Sequence, residues 1–333
     1  MERWCILCLC DIKSIINRQI TIMTNFVYKN SGKIKKETKE MEKRIIFHSG
    51  DHVGITVCSN GLKREQAEEM ERLGECLREM RLVPVFSDLL YETYSVFSGS
   101  GKERAHELMR FFEDDKIKAI FDVSGGDLAN QLLEYLDYEK IKQSGKLFFG
   151  YSDLTVLLNG IYAKTGNTAG LYQIRNLIRR EEKEQRQRFR ETFLEGGDSL
   201  FESKWKFLQG EKIEGIVAGG NIRCFLKLAG TPYFPDLTDK VLFLESLGGE
   251  EAVMTSLLSQ LRQLGVFQKV RGILLGTFTK MQQIQRELPI EELVKRIVDH
   301  PQMPIAKTEQ IGHGSDSRCL MLGEHICIRK EKM

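Results

Sequence analysis

Residues 117–153 read IKAIFDVSGGDLANQLLEYLDYEKIKQSGKLFFGYSD, and they decide the fold. The apolar run 117–123 predicts a buried strand that stops in a tight turn, Ser124-Gly125-Gly126-Asp127. Residues 128–142 then place Leu132, Leu133, Leu136 and Ile141 on one helical face. A second short apolar run, 146–150, predicts another strand, ending at Tyr151-Ser152-Asp153. Two strands joined through a helix form a βαβ crossover, so the strands must lie parallel.

The same alternation extends outward. Upstream, 53–58 predicts a strand, 63–81 an amphipathic helix, 83–86 a strand and 102–113 a helix; downstream, Leu154, Leu157, Leu158, Ile161 and Tyr162 mark one more helix. Residues 179–190 are a dense run of mixed charge, read as a solvated helical face, and a domain junction is placed over 179–212. Beyond it, strands are expected at 213–218, 241–244 and 270–275, helices near 250–264 and 290–300, and strand and turn over 305–328. The expected fold is α/β: a Rossmann-like parallel-sheet domain over 41–178, then a smaller α/β domain over 213–333. In such sheets chemistry sits beyond the carboxyl ends of the strands.

Composition narrows the function classes. The chain has 333 residues, 49 Lys and Arg against 47 Asp and Glu, and 29% charged residues. A formal +2 gives no electrostatic footprint for nucleic acid. No apolar run approaches membrane-spanning length, so neither nucleic acid nor membrane is an expected partner, and a cytoplasmic location is expected. Of the eight cysteines, Cys58, Cys76, Cys224, Cys319 and Cys327 are scattered and read as small core residues. Cys5, Cys8 and Cys10 crowd the start, but no second ligand pair follows at zinc spacing, so no metal is expected. Residues 1–40 lack sustained periodicity and are read as a disordered or misassigned extension, with Met41 a candidate initiator.

Three turns invite a chemical reading. Ser124-Gly125-Gly126 and Ala218-Gly219-Gly220-Asn221 each follow an expected strand, and their N–H groups could cradle a phosphate, line an oxyanion hole or simply make a tight turn. Gly150-Tyr151-Ser152-Asp153 would lift a serine hydroxyl to the top of the sheet, where a helix N-terminus adds donors; Ser-Asp also suits an ordinary N-cap. A serine nucleophile needs a base, and His313, between Gly312 and Gly314, is the one imidazole on a flexible turn after a strand. Glu245 ends a buried strand, where a carboxylate is costly unless paired.

Taken in order, these motifs resemble the LD-carboxypeptidase family of serine peptidases. The likeness runs from Gly125-Gly126 and Ala129-Asn130-Gln131-Leu132-Leu133 through Gly150-Tyr151-Ser152-Asp153, Gly219-Gly220-Asn221, Gly230-Thr231-Pro232-Tyr233 and Leu244-Glu245 to Gly312-His313-Gly314. It implies Ser152 as nucleophile, His313 as general base and Glu245 as its orienting acid, with the site between the two domains of a homodimer. It implies an oxyanion hole from the N–H groups of Gly126 and Asp153, contacts to substrate from Asn221 and Arg175, and no cofactor. The implied substrate is a small peptide or peptide conjugate: either the L,D bond of a peptidoglycan tetrapeptide or a peptidyl-nucleotide antibiotic, the latter suggested by Tyr138 and the charged insertion. A non-catalytic module holding a nucleotide or phospholigand in its Gly-Gly turns is the competing expectation. Two departures bear on substrate: Asp127 follows the glycines, where its carboxylate would repel an anion, and Leu171-Tyr172-Gln173-Ile174-Arg175-Asn176 replaces a His-Gly-Pro segment.

Overall fold

The computed structural model describes residues 46–284 and 288–331. The cysteine cluster at 5–10, the proposed extension 1–40 and Met41 lie outside them. Two six-stranded sheets carry the fold. The first is built from β1 (His52–Thr56), β2 (Val83–Phe86), β3 (Ile117–Asp122), β4 (Leu147–Gly150) and β5 (Ala169–Leu171), all parallel. It is closed by an antiparallel strand from the chain's far end, β11 (Leu320–Leu322), giving the order β11-β5-β4-β3-β1-β2. The second runs β12-β7-β8-β9-β10-β6, comprising β6 (Lys206–Gln209), β7 (Lys212–Asn221), β8 (Lys240–Ser246), β9 (Gly272–Phe278), β10 (Ile305–Lys307) and β12 (His325–Arg329). Its central strands are parallel and its edges antiparallel, so the expected α/β class with two parallel-dominated sheets is what the chain adopts.

Helices α1 (Ala67–Glu79) and α2 (Gly101–Glu113) make crossovers of the first sheet. The single helix expected over 128–142 is instead a 3-10 turn, Ala129–Tyr135, followed by α3 (Tyr138–Ser144). Asp137 divides them: its side chain accepts from the Lys140 N–H at 3.1 Å, a better N-cap than helix interior. Helix α4 (Thr155–Thr165) follows β4 and is buried on every side, from Val156 to Ile161. Such a helix must lie between layers rather than on a surface. One continuous core contains its Leu157 and Leu158, Phe148 of the first sheet, and Val217, Val241 and Phe243 of the second.

Asn159 fastens this helix to the second sheet. Its side-chain oxygen accepts from the Gly219 N–H at 2.9 Å, and its amide donates to the Gly219 carbonyl at 2.8 Å. Thr155 Oγ1 accepts from the Asn221 N–H at 3.0 Å. A side chain at Gly219, which has φ +114°, would collide with the Phe243 backbone, so β7 can approach only as glycine there.

The charged run over 179–190 lies mostly in α5 (Glu182–Phe193), which is not simply solvated: Gln185, Phe189, Thr192 and Phe193 are buried. Phe189 and Phe193 stack on Phe47 and meet Phe121 and Phe149 of the first sheet tilted or edge-on. Among the scattered cysteines, Cys58, Cys76, Cys224 and Cys319 are buried as expected, whereas Cys327 is exposed on edge strand β12. No helix among the described residues is long and apolar enough to cross a membrane.

Asn159→Leu leaves the Gly219 N–H and C=O buried and unpaired. We expect a stability loss of about 3 kcal/mol in urea unfolding, seen as a lower midpoint at unchanged slope. A loss below about 0.5 kcal/mol would show that the bridge is not what joins α4 to β7.

Candidate active site

Strand β4 delivers Ser152. The chain leaves Gly150, and Ser152 opens a single 3-10 turn with φ +56°, a left-handed backbone that a serine adopts only when its surroundings enforce it. The next residue supplies that enforcement. Asp153 is fully buried and its Oδ2 accepts from Ser59 Oγ at 2.7 Å and from the Ala129 N–H at 2.9 Å, while Lys227 Nζ donates to its Oδ1 at 2.5 Å. The side chain of Asp153 therefore locks the turn to the segments that follow β1 and β3 and, through Lys227, to the segment that follows β7.

The glycine turn after β3 is held as firmly. Asp122 accepts from the Ser124 N–H at 2.7 Å and from the Cys58 N–H at 2.6 Å, and burial pushes its carboxyl up to about 6. The Asn60 N–H donates to the Gly125 carbonyl at 3.1 Å, and Asn60 Oδ1 accepts from the Asp127 N–H at 3.0 Å. Gly126 sits at φ +125°, and a Cβ there would overlap the Asn60 carboxamide. Its own N–H and that of Asp153 are not taken by a turn or side-chain acceptor among the described residues.

Strands β7 and β8 place the carboxylate. Their parallel register sets Asn221 beside Glu245, and Asn221 Nδ2 donates to Glu245 Oε1 at 2.9 Å. The second oxygen of this fully buried glutamate lies 2.7 Å from His313 Nδ1. A carboxylate at that distance accepts a proton from Nδ1, and in the tautomer this favours, Nε2 is the nitrogen with the open lone pair. Nε2 is buried with no partner among the described residues. The Tyr151 ring meets the imidazole edge-on, centroids 5.0 Å apart, and burial together with the Glu245 charge pushes its hydroxyl well up. The loop of His313 is braced by α5: Ser315 Oγ donates to Glu181, and Gln185 Nε2 donates to the Ser317 carbonyl at 3.0 Å.

Ser152, His313 and Gly126 line one cavity of about 350 Å³, with Asn176, Arg175 and Arg179 among its other walls. Of the residues singled out in the sequence, Glu245 lies buried directly behind His313, and Asp153 lies beneath Ser152. Three expectations change. Asn221 was expected at the substrate, but its side chain is buried, with its amide on Glu245 and its oxygen capping helix α6 (Ile222–Leu226) at Cys224 N, 3.3 Å away. Asp127 was expected to repel anions, yet its exposed carboxylate is paired with Arg223 and lies 3.6 Å from Lys227. Arg175 does line the cavity, but Glu69 Oε1 accepts from its Nε at 2.9 Å and Glu69 Oε2 from its Nη2, so its charge is already matched. Burial opposes the ionised Glu69, but Arg175 outweighs it and holds the carboxyl below the usual range.

The phosphate-cradle alternative loses one of its turns here, because the amides of Gly219 and Asn221 are spent on Asn159 and Thr155. A larger groove of about 790 Å³ runs along β6, but its walls include Lys307, which pairs with both Glu291 and Glu309. No group of acidic, His and Cys residues suited to a metal ion occurs among the described residues. Lys227 went unnoticed in the sequence, and Tyr151 and Asn176 stood there only as members of their motifs with no role of their own; Asn159, a lone amide in an apolar helix, left a visible signal.

Comparison with known proteins adds to this geometry. Residues 53–173 match the LD-carboxypeptidase N-terminal domain and residues 214–328 the LD-carboxypeptidase C-terminal domain. A Bacillus subtilis protein named as a probable murein peptide carboxypeptidase is 28% identical over 83% of this chain and 88% of its own. The microcin C7 self-immunity protein MccF of Escherichia coli is 27% identical over 69% of this chain and 76% of its own. A solved structure of MccF with glutamyl sulfamoyl guanosine superposes with a TM-score of 0.77 at 25% identity, covering 86% of this chain and 95% of that one.

Replacing Lys227 with Met strips the buried Asp153 carboxylate of its cation. We expect about 3 kcal/mol lower stability, partly restored by adding Asp153→Asn. Equal stability of Lys227→Met and wild type in denaturant unfolding would contradict the role given to this pair.

Proposed function

Because this chain belongs to the LD-carboxypeptidase family, we propose that it hydrolyses a C-terminal amide bond by serine catalysis, with Ser152, His313 and Glu245 as the triad. The observation that carries the reading is the His313 Nδ1–Glu245 Oε2 contact of 2.7 Å, with the buried Nε2 left without a partner on a ring that lines the same cavity as Ser152. In this reading Nε2 takes the Ser152 proton as Oγ attacks the scissile carbonyl, and Glu245 stabilises the imidazolium. The N–H groups of Gly126 and Asp153 receive the developing oxyanion, each donor contributing about 3–4 kcal/mol to the barrier reduction. The imidazolium then protonates the leaving amine as the C–N bond breaks, and a water activated by His313 releases the acyl group from Ser152.

The substrate is a short peptide end: the bond to terminal D-alanine in a peptidoglycan tetrapeptide, with the aminoacyl linkage of a peptidyl nucleotide as the second candidate. Names of the relatives, one a murein peptide carboxypeptidase and one a protein solved with a glutamyl sulfamoyl nucleoside, support both classes. The enzyme is read as a cytoplasmic homodimer without a cofactor.

D-alanine release from the tetrapeptide and labelling by an active-site phosphonate test the proposal, with a peptidyl nucleotide assayed in parallel. Both signals should vanish in Ser152→Ala. In Glu245→Gln we expect kcat to fall about 10³–10⁴-fold with KM nearly unchanged. Indistinguishable behaviour of wild type and Ser152→Ala across both substrates would overturn the serine mechanism.

A further inference from the structure

Three residues lining the cavity carry buried polar atoms without a partner among the described residues: His313 and Tyr151, which lie together at the proposed triad, and Asn176, which the mechanism leaves unused. Asn176, in the 3-10 turn Ile174–Ile178 that follows β5, is 1% exposed, and neither its amide nitrogen nor its carbonyl oxygen has a hydrogen-bond partner among the described residues. A buried carboxamide idle at both ends is costly unless a partner arrives from outside. Asn176 lines the same cavity as Ser152 and His313, so a ligand seated there is the outside group placed to supply that partner once the carboxamide, closed to solvent in this structure, turns toward it.

Charge points to the kind of ligand. The two cations on the cavity wall are Arg175 and Arg179, and no carboxylate lines it. Glu69, behind the wall, is committed to Arg175 by two hydrogen bonds, and Arg175 Nη1 donates to the Val123 carbonyl at 3.2 Å. Arg179 gets only the remainder: its Nε stands 3.9 Å from Glu69 Oε1, outside hydrogen-bond range. Burial and the neighbouring Arg175 charge both weigh against the protonated form of Arg179, as expected of a cation short of an anion. One glutamate between two arginines leaves a single uncompensated positive charge, and it sits at Arg179.

We infer that Asn176 and Arg179 form the specificity subsite for the free α-carboxylate of the substrate's terminal residue. The guanidinium fork of Arg179 and the Nδ2 of Asn176 donate to the two oxygens, and Asn176 Oδ1 accepts an N–H of the same residue. Arg175, the arginine singled out from the sequence, positions the turn rather than reading the ligand. The inference rests on the cavity being the peptide-end site, but it is separable from the hydrolytic mechanism, because it concerns binding alone.

The test uses the full chain carrying Ser152→Ala, which cannot turn over by the proposed route, and measures calorimetric binding of the D-alanine-terminated peptidoglycan tetrapeptide and of the same peptide with its terminal carboxyl amidated. The acid is expected to bind at least about tenfold more tightly than the amide. Adding Arg179→Gln or Asn176→Ala should remove that preference by weakening the acid about tenfold while leaving the amide within about twofold, and Arg179→Lys should keep part of it. Because Asn176→Ala empties a buried site, its melting temperature is read alongside, and the more exposed Arg179→Gln decides if it unfolds. Equal binding of acid and amide, equal weakening of both by Arg179→Gln, or no binding of the acid overturns the subsite. Retained discrimination in a protein whose wild-type form never releases D-alanine would uphold the subsite and sink the peptidase reading instead.

Discussion

The pair of hydrogen bonds between the Asn159 carboxamide and both backbone polar groups of Gly219 is the constraint on which the site depends. Helix α4 begins at the turn carrying Ser152, and β7 is the strand whose register delivers Asn221 to Glu245. Joining α4 to β7 therefore fixes the serine of one sheet relative to the carboxylate of the other. Apolar packing of Leu157 and Leu158 against Val217 and Phe243 holds the layers together but is tolerant of sliding. A two-point hydrogen bond to a single glycine is not, since a shift of one residue along β7 would strand four buried polar groups. Packing supplies the adhesion here, and the amide bridge supplies the register.

Electrostatics around the site follow one rule, that each buried carboxylate is matched where position matters and cations are left in surplus only where a ligand enters. Glu245 has Asn221 and His313; Asp153 has Lys227, Ser59 and an amide; Glu69 has Arg175. Only neutral donors face Asp122, and that carboxyl is the one pushed up to about 6. The shift eases protonation of a carboxyl beside the Gly125-Gly126 turn, where a full negative charge weakens the field offered to an oxyanion.

Much of this was legible from local chemistry. Apolar runs ending in glycine turns located the ends of β3 and β4, and a carboxylate ending an apolar run identified Glu245, because both signals are confined to a few consecutive residues. What escaped depends on pairs far apart in the chain. Glu69 and Arg175 are separated by 106 positions, Asp127 and Arg223 by 96, and each pairing cancels the charge expected from the site residue alone. Asn221 was correctly placed at a strand end, but its face could not be known without the β7–β8 register. The helix expected over 128–142 failed for a local reason that was visible: Asp137 is a strong N-cap, and the period-3.6 pattern on both sides of it hid the break.

The charged segment over 179–190 is the instructive misreading, because its composition describes only one of its faces. Half-buried and exposed charges on α5 pair along the helix, Arg188 with Glu184 and Arg186 with Glu182, while Phe189 and Phe193 bury against the first sheet. Its N-terminal end then reaches the loop after β10 through Glu181 and Gln185, and Gln185 also accepts from the Tyr172 hydroxyl at 3.1 Å. A histidine between two glycines has little intrinsic preference for one position, so the order its loop lacks must come from elsewhere. The helix provides that order by anchoring Ser315 and Ser317, two and four residues beyond His313, to a body packed on the sheet that carries Ser152. What separates the two sheets in sequence is thus what holds the imidazole between them.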